Sequence, residues 1–206
     1  MKIELLNTGK KFNTEWIFRN LSYTFEEGQS YAILGRNGSG KSTLLQVISG
    51  SLHPTTGTIQ YFHEGKQISE EKIFRFLACS APYLELIEEF KLKEMIQFHF
   101  RFKNILSGYS IDKAIGMLGF KNTEYKPIRQ FSSGMKQRVK LLLAFLSDTP
   151  LLLLDEPTTN LDQSGMDWYL NLIHEFSKNR TIIICSNLQQ LETSFCSAKV
   201  VIEDYK

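Results

Sequence analysis

The sequence lacks a long hydrophobic run, a cysteine framework and a strong net charge. Its longest apolar stretches are Leu141–Leu146, Leu151–Leu154 and Ile182–Cys185, far short of the ~20 residues that a helix needs to span a bilayer. A role at a membrane would therefore need a second chain. The first residues lack the apolar segment of a signal peptide.

Three cysteines, none in a CxxC pair, are typical of reduced thiols in a cytoplasmic protein. The formal net charge of +2 argues against a dedicated nucleic-acid binder with a dense positive face, so we expect no nucleic-acid partner. With 42% hydrophobic and 22% charged residues, the 206-residue chain is predicted to be one globular domain.

Apolar strands alternate with helical segments along much of the chain. The strands Tyr31–Leu34, Leu151–Leu154 and Thr181–Cys185 are continuously apolar, which is typical of a parallel sheet covered on both faces. Residues 3–31 show short strands with turns, whereas residues 85–130 look helical. We predict an α/β fold over residues 1–206, with the core in 1–84 and 131–206 and a helical insertion at 85–130.

Gly35-Arg-Asn-Gly-Ser-Gly-Lys-Ser42 matches the phosphate-loop pattern GxxxxGK[ST], between a predicted strand and a predicted helix. Its glycines let backbone N–H groups form an anion nest at the helix N-terminus. Lys41 adds positive charge, and the Ser42 hydroxyl is a Mg²⁺ ligand. The predicted nucleotide-binding residues of this segment are Gly35, Asn37, Gly38, Ser39, Gly40, Lys41, Ser42 and Thr43.

An acidic pair follows the next buried strand, at Asp155 and Glu156. In phosphate-loop proteins an aspartate at this place holds Mg²⁺, which makes Asp155 the predicted metal residue. Glu156 is predicted to act as the general base for an attacking water.

Between these motifs, Phe131-Ser-Ser-Gly-Met-Lys-Gln-Arg138 is similar to the signature of ABC ATPases, with Ser133 and Met135 replacing a glycine and a glutamine. Residues 157–162, Pro-Thr-Thr-Asn-Leu-Asp, are similar to the D-loop. All four motifs in order make the chain resemble ABC ATPase subunits over nearly its whole length. The resemblance implies a P-loop NTPase fold: a RecA-like parallel sheet core, an N-terminal antiparallel β subdomain and an inserted α-helical subdomain.

The same resemblance implies ATP and Mg²⁺ as cofactors and a site shared by two ATPase domains, alike or different. Each domain would add Ser132, Ser133 and Gly134 to the ATP on its partner. Phe12 matches the aromatic residue that stacks on adenine, with Trp16 as a weaker candidate; ordinary packing is the alternative for Phe12. We expect a transporter subunit on the cytoplasmic face of the membrane, working with a separate transmembrane subunit. The rivals are a soluble ABC ATPase of the iron–sulfur assembly type and an ATP-gated regulatory subunit.

Two positions depart from the family pattern. Ser80 stands where the family has a glutamine near Mg²⁺, and Asn187 stands where it has a histidine near the γ phosphate. An amide can donate a hydrogen bond but cannot carry a charge or shuttle a proton. Either hydrolysis is slow, or these positions tolerate change and Glu156 carries the chemistry; Asn187 is still assigned to the catalytic set.

Large apolar residues are frequent in the helical insertion. They either pack its own small core or line a groove for a helix of a membrane protein. The alternation in Phe98-His-Phe-Arg-Phe102 is also compatible with an extended piece. The residues concerned are Phe90, Met95, Phe98, Phe100 and Phe102.

Overall fold

A computed structural model describes residues 1–187 and 190–206. The chain divides into two compact units. The first contains residues 1–79, 149–156 and 177–206, and the second contains residues 80–148 and 157–176. The proposed limits of the helical insertion, 85–130, stay a prediction.

An antiparallel sheet of four strands forms part of the first unit, in the order β2-β1-β4-β5. Along β1 the apolar residues Ile3 and Leu5 are buried between more exposed neighbours, as expected of a sheet with one face on a core. Irregular pairing interrupts β1 between Leu5 and Lys11. The strands are β1 (Lys2–Phe12), β2 (Glu15–Phe25), β4 (Thr56–His63) and β5 (Lys66–Ile68).

A second sheet has the order β6-β7-β8-β3-β9. Strand β3 pairs in parallel with β8 and β9, and β7 pairs in parallel with β8. The three central strands are buried along almost their whole length, as their continuous apolar sequences predict. The strands are β3 (Ser30–Leu34), β6 (Leu77–Ser80), β7 (Leu151–Asp155), β8 (Thr181–Ser186) and β9 (Ala198–Val201).

Helix α1 (Lys41–Ile48) follows β3 and buries its apolar side chains in the core of the first unit. Short helical segments complete this unit: a 3-10 helix at Glu70–Arg75, α6 (Gln190–Thr193) and a 3-10 helix at Ile202–Tyr205.

The second unit is mainly helical. It contains α2 (Leu92–His99), α3 (Ile111–Met117), a 3-10 turn at Ile128–Gln130, α4 (Ser133–Leu146) and α5 (Gln163–Phe176). Phe98 lies inside α2, so the extended reading of residues 98–102 is wrong. Its ring stacks edge-on with Phe90 and Phe102, at centroid distances of 5.4 and 5.2 Å. The aromatic residues of this segment therefore pack on one another, across the helix and the residues that flank it.

Gly57 offers a test of the antiparallel sheet, because its φ is +75° and a Cβ there would lie 2.3 Å from the carbonyl oxygen of Asn7. Gly65 has the same φ, but a Cβ there meets nothing within 4 Å. We expect Gly65→Ala to cost about 1–2 kcal/mol through backbone strain alone. Gly57→Ala should cost about 3 kcal/mol or more, because the backbone must also move. Urea unfolding of both variants checks this, and equal losses would contradict it.

Candidate functional site

Parallel strands end together at one edge of the second sheet, and this edge carries polar residues in the first unit. Leu34 of β3 aligns with Ser186 of β8 and with Val201 of β9, and Asp155 of β7 aligns with Cys185. The segments that follow these strands therefore meet at their carboxyl ends, where ligands bind in α/β sheets.

The phosphate loop leaves β3 at this edge and opens α1. Gly40 precedes the helix with φ +107°, and a Cβ there would lie 2.4 Å from Cγ2 of Ile17. Gly38 has φ +76°. Gly40 is required for both space and backbone conformation, and Gly38 for backbone conformation alone. The Ser39 hydroxyl oxygen is buried and has no hydrogen-bond partner among the described residues.

Lys41 is buried, with 4% of its side chain exposed, and its ammonium group donates to two loop carbonyls. Nζ lies 2.9 Å from the oxygen of Gly35 and 3.1 Å from that of Arg36. It also lies 4.0 Å from Oε1 of Glu156. The ammonium group is thus held inside the loop by neutral acceptors and one carboxylate, where an anion can compete for it.

Asp155 ends β7 with 1% of its surface exposed. Burial raises the pKa of its carboxyl group; the nearby Ser42 hydroxyl opposes this shift, and the charge of Glu156 adds to it. Neither carboxylate oxygen accepts a well-formed hydrogen bond from the described residues. Such a group is unfavourable unless a cation or ordered water satisfies it.

The side chains of Asp155 and Ser42 fit Mg²⁺. Proteins typically hold this ion with one or two carboxylates, together with water and substrate phosphates. The arrangement supplies one buried carboxylate and one hydroxyl, and no group of three or more His, Cys, Asp or Glu among the described residues is placed to hold a metal alone. The donor set therefore suits an ion that arrives with a phosphorylated ligand.

Glu156 follows β7 with a φ of +45°, which is uncommon for a residue with a side chain. Its N–H donates to the carbonyl of Cys185 at 2.9 Å, and this bond ties the strained residue to β8. The side chain is 29% exposed. A carboxylate held rigidly beside Lys41, but open to water, can orient a water molecule and accept its proton.

Two thiols flank Asp155 in the sheet. Burial raises the pKa of Cys79 to about 12, and the pKa of Cys185 is also raised by burial. The Cys185 thiol donates to the carbonyl of Lys41 at 3.5 Å. Both thiols therefore stay protonated and serve as small apolar neighbours of the carboxylate rather than as ligands or nucleophiles.

Asn187 follows a strand of the second sheet, and Ser80 ends another strand of that sheet. Asn187 comes directly after β8 and is partly buried; residues 188 and 189 lie outside the described part. Ser80 is the last residue of β6, and its buried hydroxyl has no partner among the described residues.

Phe12 and Trp16 lie at the turn between β1 and β2. The Phe12 side chain is 48% exposed, with the ammonium group of Lys10 5.3 Å from its ring centroid. Trp16 is partly buried, because it packs over Gly9: a Cβ on Gly9 would lie 3.0 Å from Cζ3 of Trp16. Phe12 therefore has a more accessible ring face than Trp16 for stacking with a planar ligand.

The signature segment begins α4 in the second unit. Ser132 and Ser133 are exposed, and the Ser132 oxygen accepts from the N–H of Met135 at 3.2 Å, which caps the helix. Its O–H remains available as a donor. A small cavity of about 280 Å³ adjoins this helix start and is lined by residues that include Ser132, Gly134 and Asn160.

Sequence reasoning missed how the D-loop fixes the signature. A Cβ on Gly134 would lie 2.7 Å from the carbonyl oxygen of Asn160, so close approach requires glycine there. The side-chain N–H of Gln137 also donates to the carbonyl of Pro157 at 2.9 Å. The two segments are 26 residues apart (Gly134 to Asn160), and only their family resemblance pointed to both.

A phosphate loop followed by a helix, with an acidic pair at the end of another strand of the same parallel sheet, defines a P-loop NTPase fold. A family model described as "ABC transporter" matches residues 18–159. The chain belongs to the ABC transporter family, as the motifs predicted. None of the helices in the described part is long and apolar enough to cross a membrane.

Named relatives agree with this assignment. An uncharacterised ABC transporter ATP-binding protein of Bacillus subtilis (strain 168) is 33% identical over 94% of this chain and 89% of its own. A bacitracin transport ATP-binding protein of Bacillus licheniformis is 30% identical, over 88% of this chain and 60% of its own. A dimeric, post-hydrolysis ATP-binding cassette bound to ADP and phosphate superposes with a TM-score of 0.78 at 21% identity, covering 97% of this chain and 94% of the other. The predicted fold class is confirmed.

Proposed function

We propose that this chain binds MgATP, dimerises around it and hydrolyses it as the ATP-binding subunit of a transporter, on the cytoplasmic face of the membrane. The observation that carries the proposal is the edge of the sheet where Lys41 lies inside the phosphate loop beside Asp155 and Glu156. The names of the relatives, which include bacitracin and lantibiotic transport proteins, support the transport part.

Nucleotide binding would begin at the loop. Its N–H groups and the N-terminus of α1 favour the phosphates, and Lys41 would exchange the carbonyls of Gly35 and Arg36 for phosphate oxygens. Phosphate is charged and the carbonyls are neutral, so this exchange gains electrostatic energy. The exposed ring of Phe12 would stack on adenine.

Ser42 and Asp155 would hold Mg²⁺, which would neutralise phosphate charge, and Ser80 stays the third residue of the proposed metal set. Glu156 would orient water and take its proton. The catalytic set is then Lys41, Glu156 and Asn187, with Asn187 as a neutral donor to phosphate.

A second ATPase domain would complete the site. The exposed hydroxyls of Ser132 and Ser133, the N–H of Gly134 and the start of the 14-residue helix α4 offer donors and a positive dipole end to the phosphate bound by that domain. The dimeric arrangement of a similar cassette supports this pairing. The partner is either a second copy or a related chain.

Slow hydrolysis by the isolated chain is the expected result of having Asn187 in place of histidine. We expect turnover below the roughly 1 s⁻¹ at the low end of common enzymes. Asn187→His should raise kcat by about tenfold, because it restores a group that can carry charge and move protons. Asn104 gives a matched control, since Asn104→His adds the same ring at an exposed position of the second unit. Brisk wild-type turnover in a steady-state assay would overturn the expectation.

A surface of the second unit suits a helix of a membrane subunit. Phe102 is 73% exposed, and a neighbouring cavity of about 590 Å³ is lined by Phe90, Phe98, Glu94, Gln97 and Arg101. An apolar floor with a charged rim is typical of a groove for an amphipathic helix. Affinity capture from native membranes, with captured proteins identified by mass spectrometry, tests this. A multispanning protein supports it, and recovery of soluble partners alone contradicts it.

A further inference from the structure

Two loops meet beside the phosphate loop because β3 and β9 are paired in parallel. Leu34 aligns with Val201 in the register, so the residues after each strand become neighbours. After β3 come Gly35 and Arg36, the start of the phosphate loop. After β9 comes the 3-10 helix that contains Ile202 and Glu203.

Glu203 makes a direct contact with the loop backbone. The N–H of Arg36 donates to Oε1 of Glu203 at 2.8 Å. The carbonyl of the same peptide group, which belongs to Gly35, accepts from Nζ of Lys41 at 2.9 Å. Since the C=O and N–H of a trans peptide point in opposite directions, one peptide is held between an ammonium group and a carboxylate. Charged partners at both ends strengthen both hydrogen bonds.

The surroundings leave this peptide little freedom. Ile202 is fully buried, and a Cβ on Gly35 would lie 2.7 Å from Cγ2 of Ile202 and 2.7 Å from Oε2 of Glu203. Oε2 is shielded from solvent and has no hydrogen-bond partner among the described residues. The hydrogen bond from Arg36 lowers the pKa of Glu203, so the group is an anion at neutral pH.

We propose that Glu203 is a positioning residue for nucleotide binding, which fixes the Gly35–Arg36 peptide while Lys41 moves from the Gly35 carbonyl to phosphate. This inference rests on the proposed ATP-binding function. Without Glu203, the peptide would lose its second anchor when Lys41 turns to the nucleotide, and the loop would have to be ordered by the nucleotide itself. The carboxylate acts through its hydrogen bond, because its charge alone would repel phosphate.

The Kd for MgATP, measured in two Glu203 variants, distinguishes the effect of the hydrogen bond from the effect of the negative charge. We expect Glu203→Ala to raise the Kd about 10- to 150-fold, the range for a hydrogen bond to a charged group. Glu203→Gln keeps an acceptor oxygen and should stay within about twofold of wild type, or bind more tightly, since a negative charge is removed. Asp204→Ala removes the same charge from an exposed neighbour on the same turn and should leave the Kd unchanged. An unchanged Kd in Glu203→Ala, or an equal loss in both Glu203 variants, would overturn the proposal.

Wild-type measurements distinguish this proposal from the proposed function. If wild type itself fails to bind MgATP, the proposed function is wrong and this inference falls with it. If wild type binds MgATP and the two Glu203 variants have equal Kd values, only the proposed role of Glu203 is wrong. Amide exchange of Arg36 in wild type, which does not depend on a variant that folds, should show strong protection, because this exposed loop residue donates to Glu203. Free exchange of that amide would contradict the proposal.

Discussion

Replacing Glu156 with glutamine is expected to lower kcat for ATP hydrolysis about 10²- to 10⁴-fold, the usual contribution of a general base. The amide keeps the size and the hydrogen-bonding reach of the side chain but cannot accept a proton from water. The backbone strain at this position, with φ +45°, is unchanged by the substitution. Affinity for MgATP should stay the same or increase, because a negative charge 4.0 Å from Lys41 is removed.

The predicted separation of binding from hydrolysis gives this variant a second readout. If ATP closes two domains and hydrolysis reopens them, Glu156→Gln with MgATP should accumulate as a dimer in size-exclusion chromatography with light scattering. Glu71→Gln, which neutralises an exposed glutamate on the 3-10 helix at Glu70–Arg75, should hydrolyse ATP at the wild-type rate. Turnover of Glu156→Gln within threefold of wild type would remove Glu156 from the general-base role.

Local sequence patterns predicted the parts of the site that depend on a single turn or strand end. The loop from Gly35 to Ser42 fixes its own conformation, because Gly38 and Gly40 take positive φ values that other residues resist. Asp155 and Glu156 follow from the end of a continuous apolar strand. In each case the relevant contacts lie within a few residues, so the sequence carries them directly.

Such local patterns do not predict contacts between segments that are distant in the sequence. Glu203 meets Arg36 because of the register of β3 and β9, and no local signal indicates which strands pair. The approach of Gly134 to the Asn160 carbonyl is likewise a tertiary contact. The alternation at residues 98–102 misled for a related reason. Helix α2 continues through His99, and the ring of Phe98 packs on that of Phe102 beyond the helix end, so the two-residue period does not mark a strand.

Asp155→Asn is expected to destroy Mg²⁺-dependent hydrolysis and to stabilise the fold. The carboxylate is 1% exposed, and neither of its oxygens accepts a well-formed hydrogen bond from the described residues. An unpaired neutral group costs about 1–3 kcal/mol to bury and a charged group costs more, so a neutral amide of the same shape removes the part of the cost that comes from the charge. Hydrolysis should fall at least about 100-fold, because the amide is a weaker ligand for a hard cation. The exposed Asp148 provides the control Asp148→Asn, which should change neither quantity.

The dependence of Tm on pH and its dependence on MgATP connect the stability gain to the function of the Asp155 carboxylate. Because the pKa of Asp155 is raised in the folded protein, its destabilising charge is present above that pKa and is neutralised as pH falls through it. The advantage of Asp155→Asn in Tm should therefore be largest near neutral pH and should shrink in acid. MgATP should raise the Tm of wild type more than that of the variant, since only wild type offers the carboxylate. A lower Tm for Asp155→Asn at neutral pH would mean that its charge is already satisfied by Lys41. The case for Asp155 as a metal residue would then lose its physical basis.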